Sequence, residues 1–171
     1  MKYLIVVDMQ EDFVNGCLGS MEGKAIAKPM AEYVQNFDGR VIFTMDTHGE
    51  DYLKTFEGKQ LPVAHCIKGS EGWKIVDELK PFAKNCVEKS TFASVDLAKF
   101  LKEENDREPI EAIELVGVCT SICVISNAMV FKAFLPEVQI KVKANLCACV
   151  SRESHIRALS VMEVAQIKIE R

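Results

Sequence analysis

A few short stretches of this sequence carry residues able to do chemistry. Cys123 lies in Gly117-Val118-Cys119-Thr120-Ser121-Ile122-Cys123-Val124, where an apolar strand runs into an apolar helix. In the first turn of such a helix the free N–H groups favour a thiolate and can hold a developing oxyanion. A buried structural cysteine is the competing reading. Asp8 closes the apolar run Tyr3-Leu4-Ile5-Val6-Val7. A carboxylate there must cap the next segment, bind a metal or move a proton. Lys89, in Val87-Glu88-Lys89-Ser90-Thr91-Phe92, reads in isolation as a solvated lysine. Asp46-Thr47-His48 places a carboxylate and an imidazole on one side of a strand end. With His65 they form an Asp/His/His set suited to Zn, Fe or Mn with open positions. A hydrogen-bonded loop is the alternative.

The elements around these residues alternate in type. Strands are expected at 3–7, 40–45, 86–88, 111–118, 138–142 and 165–169, from their apolar, β-rich or alternating character. Helices are expected at 25–37, 71–79, 93–104, 121–134 and 151–162, the last capped by Ser151. Residues 49–69 have no period and read as a long functional loop. The alternation predicts an α/β fold with a parallel sheet covered on both faces. Ligands in such sheets sit beyond the carboxyl ends of the strands. Asp8, Asp46, His48, Lys89, Cys119 and Cys123 all follow strands, so all fall at that edge.

Composition sets the broader class. The chain has 171 residues, 49% hydrophobic and 27% charged, which suits one globular domain over 1–171. A net charge of -4 with scattered basic residues argues against a nucleic-acid partner. The uncharged stretch 115–131 approaches a membrane span in length, but Gly117, Thr120, Ser121, Ser126 and Asn127 interrupt it. A buried strand followed by a buried helix fits better, and no membrane partner is expected. The seven cysteines are odd in number, with no export signal before them, which predicts reduced thiols in the cytoplasm. Cys147 and Cys149 are spaced like a metal pair, but no second pair completes a zinc ribbon.

Taken together, the motifs resemble the isochorismatase-like cysteine hydrolases, a family that includes nicotinamidases. The resemblance is carried by Val6-Val7-Asp8-Met9-Gln10-Glu11-Asp12-Phe13, Thr44-Met45-Asp46-Thr47-His48 and Leu61-Pro62-Val63-Ala64-His65-Cys66-Ile67-Lys68-Gly69. It continues through Glu88-Lys89-Ser90-Thr91-Phe92, the Gly117–Val124 stretch, and a closing helix from Ser151. It implies a doubly wound, mostly parallel six-stranded sheet with helices on both faces. It implies an Asp8–Lys89–Cys123 triad and an oxyanion hole from the N–H groups of Cys119 and Cys123, with a cis peptide before Cys119. It also implies a divalent metal on Asp46, His48 and His65, zinc first and iron or manganese as alternatives. Glu57 is a further candidate ligand, Phe13 a wall for a flat ring, and a homo-oligomer the expected assembly. One departure stands out: nicotinamidases commonly place a tryptophan where this chain has Leu61, and the single tryptophan here is Trp73. The first reading is therefore a metal-containing amidase hydrolysing nicotinamide through a Cys123 thioester. The second is another small-amide or carbamoyl hydrolase on the same triad. The third is a non-catalytic redox or metal-binding thiol protein using Cys119 and Cys123.

Overall fold

The computed structural model describes residues 1–171. Six strands form one all-parallel sheet: β1 Lys2–Val7, β2 Arg40–Asp46, β3 Cys86–Lys89, β4 Ala112–Val118, β5 Gln139–Ala148 and β6 Lys168–Glu170, in the order β3-β2-β1-β4-β5-β6. Central β1 pairs with both β2 and β4, and Tyr3 to Val7 have no exposed surface. That explains why its sequence is continuously apolar rather than alternating. Its side chains still divide by face. Tyr3, Ile5 and Val7 enter one core with α4 (Val95–Arg107), α5 (Ile125–Phe134) and α6 (Arg152–Val164). Leu4 and Val6 enter the other, with Val14 of the short α1 (Glu11–Val14), α2 (Met21–Gln35) and Ile75, Val76 and Leu79. Each fully buried Leu, Ile or Val contributes roughly 1.5–3 kcal/mol, so these two layers hold the sheet between helices.

Serine caps start the long helices. Ser20, Ser94 and Ser151 accept from the N–H groups of Gly23, Leu97 and Ser154 at 2.9, 3.1 and 3.1 Å. Ser20 moves the start of α2 four residues ahead of the expected Ala25. The expected loop 49–69 contains a 3₁₀ turn, Tyr52–Lys54, and the short helix α3, Phe56–Gln60, capped by Thr55. The expected helix over 71–79 does not form. That segment spends its backbone on the chain after β1: Glu11 N–H donates to Lys74 O, Asp12 N–H to Gly72 O and Val76 N–H to Met9 O, at 2.8, 2.9 and 3.1 Å. Between them Gln10 and Ile75 form an antiparallel bridge. Strand β5 runs on to Ala148, past an irregularity opposite Val116, and β6 starts only at Lys168. The uncharged stretch 115–131 is the end of β4 followed by a π-helical turn, Thr120–Val124, and α5. No helix of the chain is long and apolar enough to cross a membrane.

Candidate active site

The strand order reverses between β1 and β4, since the chain moves outward on one side through β2 and β3 and on the other through β5 and β6. A crevice opens at such a reversal. Asp8 follows β1 and Cys119 follows β4, so the topology sets them on either side of it. Gly117 allows the close approach there. Its φ is +122°, and a Cβ on it would stand 2.1 Å from the Val7 carbonyl oxygen. Asp8 itself has a φ of 49°, a left-handed conformation uncommon outside glycine and more tolerated by aspartate.

Lys89 closes the group from β3. Its ammonium is 2.7 Å from Asp8 Oδ2, 3.3 Å from Asp46 Oδ1 and 3.6 Å from Cys123 Sγ. The cluster is buried: Asp8, Asp46, Lys89 and Cys123 are 0, 4, 5 and 6% exposed. Thr44 Oγ1 donates to Asp8 Oδ1 at 2.6 Å. Asp8 Oδ2 contacts Lys89 out of hydrogen-bond alignment, and it is the buried side-chain oxygen left without a hydrogen-bond partner. Ion-paired with Lys89 but holding no aligned donor, this oxygen can still accept a proton. The Cys119 carbonyl accepts from the N–H groups of Ile122 and Val124, passing over Cys123 between them. The Val118–Cys119 peptide is cis, as the resemblance implies.

Charge and burial explain the protonation tendencies. Burial raises the Asp8 pKa, Lys89 opposes that, and Asp46 reinforces it; the carboxyl ends above its ordinary range. Burial and the Asp8 carboxylate push the Cys123 thiol up against the pull of Lys89. Burial lowers Lys89, but Asp8 first, then the Cys123 sulfur and Asp46, outweigh it and keep the ammonium charged. Burial thus favours the protonated thiol, and the raised pKa of Asp8 makes its carboxylate a better proton acceptor than an exposed one.

Next to this group lies a second cluster. One ligand atom from each of Asp46, His48, Glu57 and His65 falls within 4.8 Å of all the others. His48 Nε2 and His65 Nε2 are 2.9 and 3.5 Å from Asp46 Oδ2, and 3.8 and 3.9 Å from Glu57 Oε1. A tetrahedral ion with bonds of about 2.1 Å sets its ligands about 3.4 Å apart, so these four fit a divalent cation. Local backbone pairing builds the cluster. His48 and Ile67 form a parallel bridge, with His48 N–H on Cys66 O and Lys68 N–H on His48 O. His65 Nδ1 bonds the Val63 carbonyl at 2.8 Å, which places the proton on Nδ1 and leaves Nε2 free to ligate. Burial raises the Asp46 pKa, but hydrogen bonds from His48 and His65 and the charge of Lys89 outweigh it, holding the carboxyl below its usual range.

Both clusters open on one cavity of about 380 Å³, within the range of small-molecule sites. Phe13 and Leu61 stand in its wall beside Asp46, Glu57, His65 and Cys123. Trp73 does not line it; its indole N–H donates to Thr47 Oγ1 at 2.9 Å. The fold thus gathers every expected site residue in one region. Three positioning residues escaped the sequence reading. Thr44 orients Asp8. Gln10, wholly buried, clamps the Asp46 backbone, accepting from its N–H at 2.7 Å and donating to its carbonyl at 2.9 Å. Asn127, also wholly buried, donates to Cys123 O and Phe92 O and accepts from Ser94 N–H. The only sequence signal is positional: Gln10 stands two residues past Asp8, at the same strand end.

Known proteins share this arrangement of the chain. The isochorismatase domain matches residues 2–170. The isochorismatase family protein PncA of Bacillus subtilis is 33% identical over 177 residues, spanning 93% of this chain and 92% of its own. The nicotinamidase/pyrazinamidase of Mycobacterium tuberculosis is 26% identical over 99% of this chain and 98% of its own. The crystal structure of the pyrazinamidase of Pyrococcus horikoshii in complex with zinc superimposes with a TM-score of 0.82 at 26% identity, covering 99% and 98% of the two chains. A sheet wound in this order, with its buried acid, lysine and cysteine at the reversal and a domain match over nearly the whole length, makes the chain a member of the isochorismatase family.

Proposed function

We propose that this protein is an amide hydrolase of the nicotinamidase type, converting nicotinamide to nicotinate and ammonia. The observation that carries the reading is Lys89: its ammonium touches Asp8, Cys123 and Asp46 at once, next to one cavity, which supports joining the proposed nucleophile to the proposed substrate holder. The relatives named for nicotinamide and pyrazinamide hydrolysis support it.

In this mechanism Asp8 Oδ2 takes the proton of Cys123, and the thiolate attacks the amide carbonyl carbon. The N–H groups of Cys119 and Cys123 hold the resulting oxyanion. Asp8 returns its proton to the departing nitrogen, and ammonia leaves as the thioester forms. Water then attacks the thioester, with Asp8 as base, and nicotinate is released. Lys89 holds Asp8 in place and offsets the negative charge throughout. Asp46, His48, His65 and Glu57 would hold a divalent cation, zinc as our first choice and as in the zinc-bound relative, and bound there it would supply a Lewis acid for the substrate's ring nitrogen and so help to orient the amide. Phe13 and Leu61 flank the ring. The same reading carries a single domain over 1–171, a cytoplasmic setting and a homo-oligomer.

Leu61 supports a second reading, that another small amide or carbamoyl compound is the substrate, because no tryptophan stacks on the ring. Ammonia release from nicotinamide by metal-loaded protein, beside Cys123→Ala, tests both. Turnover by the native chain, falling at least about 10³-fold in the variant, is expected. An inactive native chain overturns nicotinamide as substrate, and an active variant overturns Cys123 as nucleophile.

A further inference from the structure

Two more thiols share the cavity with Cys123. Cys119 and Cys149 both line it, and their sulfurs are 2.9 Å apart. That is less than about 1 Å beyond the ~2.05 Å of a covalent S–S bond. The sheet register accounts for the meeting. Val118 pairs with Ala148 on neighbouring parallel strands, so Cys119 and Cys149 stand one step further along each. Neighbouring strands run about 4.8 Å apart, inside the Cα separation of roughly 4.4–6.8 Å that a disulfide requires. The amide-hydrolysis scheme uses the Cys119 backbone N–H but neither of these sulfurs.

We propose that Cys119 and Cys149 are a redox pair, and that their reversible disulfide, formed with hydrogen peroxide as oxidant and reopened by a dithiol as reductant, switches the site off. Cys149 is placed to react first. Ser121 Oγ lies 3.0 Å from its sulfur and the Cys119 thiol donates to it. Burial raises the Cys149 pKa, but these hydrogen bonds outweigh it and favour the thiolate, whereas burial and Cys149 push Cys119 up to about 11. The Cys149 thiolate attacks one peroxide oxygen, breaking the O–O bond, and becomes a sulfenic acid; the other oxygen leaves as water once protonated. Cys119 Sγ then attacks the Cys149 sulfur and expels the second oxygen as water. Two thiols lose two electrons and two protons, and hydrogen peroxide becomes two waters. The new bond ties the Cys119 backbone, which carries one oxyanion donor, to the end of β5.

The switch-off rests on the amide-hydrolase reading; the disulfide itself does not. The test exposes the full-length, metal-loaded protein to hydrogen peroxide, blocks free thiols, and maps peptides without reduction. Activity is followed in parallel, each sample normalised to its own reduced activity. A linked Cys119–Cys149 peptide is expected, with at least a tenfold loss of turnover restored by dithiothreitol. Cys149→Ser and, separately, Cys119→Ser should lose the linkage and the reversible loss together. Absence of the linked peptide overturns the pair even if the chain proves to hydrolyse no amide. Linkage without loss of turnover, or equal loss in wild type and both variants through oxidation of Cys123, overturns the switch.

Discussion

Replacing Lys89 by methionine separates the stability of this site from its activity. The ammonium lies between Asp8 at 2.7 Å and Asp46 at 3.3 Å, and all three groups are buried. Methionine keeps the stem and removes the charge, leaving two carboxylates facing each other away from water. Breaking a buried ion pair in this way costs about 3–5 kcal/mol. For a chain of this size each kcal/mol shifts Tm by roughly 2–4 °C, so a fall of about 6–20 °C is expected. Asp8 then has its burial and the Asp46 charge raising its pKa with nothing from Lys89 to oppose them. The folded variant therefore binds a proton that the unfolded chain releases above its ordinary carboxylate pKa of about 3.9. Stability drops as pH rises through the raised folded value and recovers as pH falls, so the Tm deficit should be smaller at pH 5 than at pH 8. Adding Asp8→Asn to Lys89→Met removes one orphaned charge and should restore about 1–3 kcal/mol, while turnover stays at background. Thermal unfolding of the four proteins of this cycle, with equal metal content, measures the coupling. Strictly additive losses, or a Lys89→Met protein as stable as wild type, would refute the picture of Lys89 as the cation that makes the buried acids tolerable.

Three further outcomes follow from the geometry. His65→Ala removes one of four facing candidate ligands, so retained metal after dialysis should fall, with affinity down by at least about 100-fold; on the proposed role of the cation in orienting the ring, KM for nicotinamide should rise more than kcat falls, and unchanged metal content would sink the assignment. Leu61→Trp places an aromatic face in the cavity wall and should lower KM by about 2–10-fold at nearly constant kcat, matching the ~0.5–1.5 kcal/mol of an aromatic pair. Gly117→Ala forces a methyl to 2.1 Å from the Val7 carbonyl and should cost about 3 kcal/mol or more, whereas Gly69→Ala, at φ +84° with nothing within 4 Å, should cost only about 1 kcal/mol; equal Tm shifts would show that close approach is not what position 117 requires.

The division between what could and could not be read from the sequence follows the range of the forces involved. Strands β1, β2 and β4 are buried on both faces, so their apolar runs announce them without help from context. The chemistry-bearing residues fall just past strand ends, and the rule for parallel sheets sends them to one edge. The failures lie where contacts distant in sequence decide local shape. Residues 71–79 have a helix-like pattern, but three backbone bonds to the Met9–Asp12 segment take the groups a helix would need. The 49–69 stretch has no period because its turns are set by distant partners: Cys66 carries a left-handed φ of 46° and gives its N–H to Asp12 Oδ2, which helps to hold His65 beside His48.

Thr44, Gln10 and Asn127 show the same limit at the level of single side chains. None has a reactive group, so residue type alone marks none of them. Each matters because a wholly buried polar group must find partners, and the partners here are parts of the site. Gln10 illustrates the consequence. Its amide spans both backbone polar groups of Asp46, and Asp46 in turn presents Oδ1 to Lys89 and Oδ2 to His48 and His65. One carboxylate thus belongs to both clusters, with its backbone pinned so that neither oxygen drifts from its task. The candidate metal site and the thiol group are therefore not separable modules on a common edge: a cation bound at Asp46 would draw on the same charge that holds Lys89, and through Lys89 it would bear on Asp8 and Cys123. In the proposed mechanism, substrate holding and nucleophile activation are linked through that single ion pair.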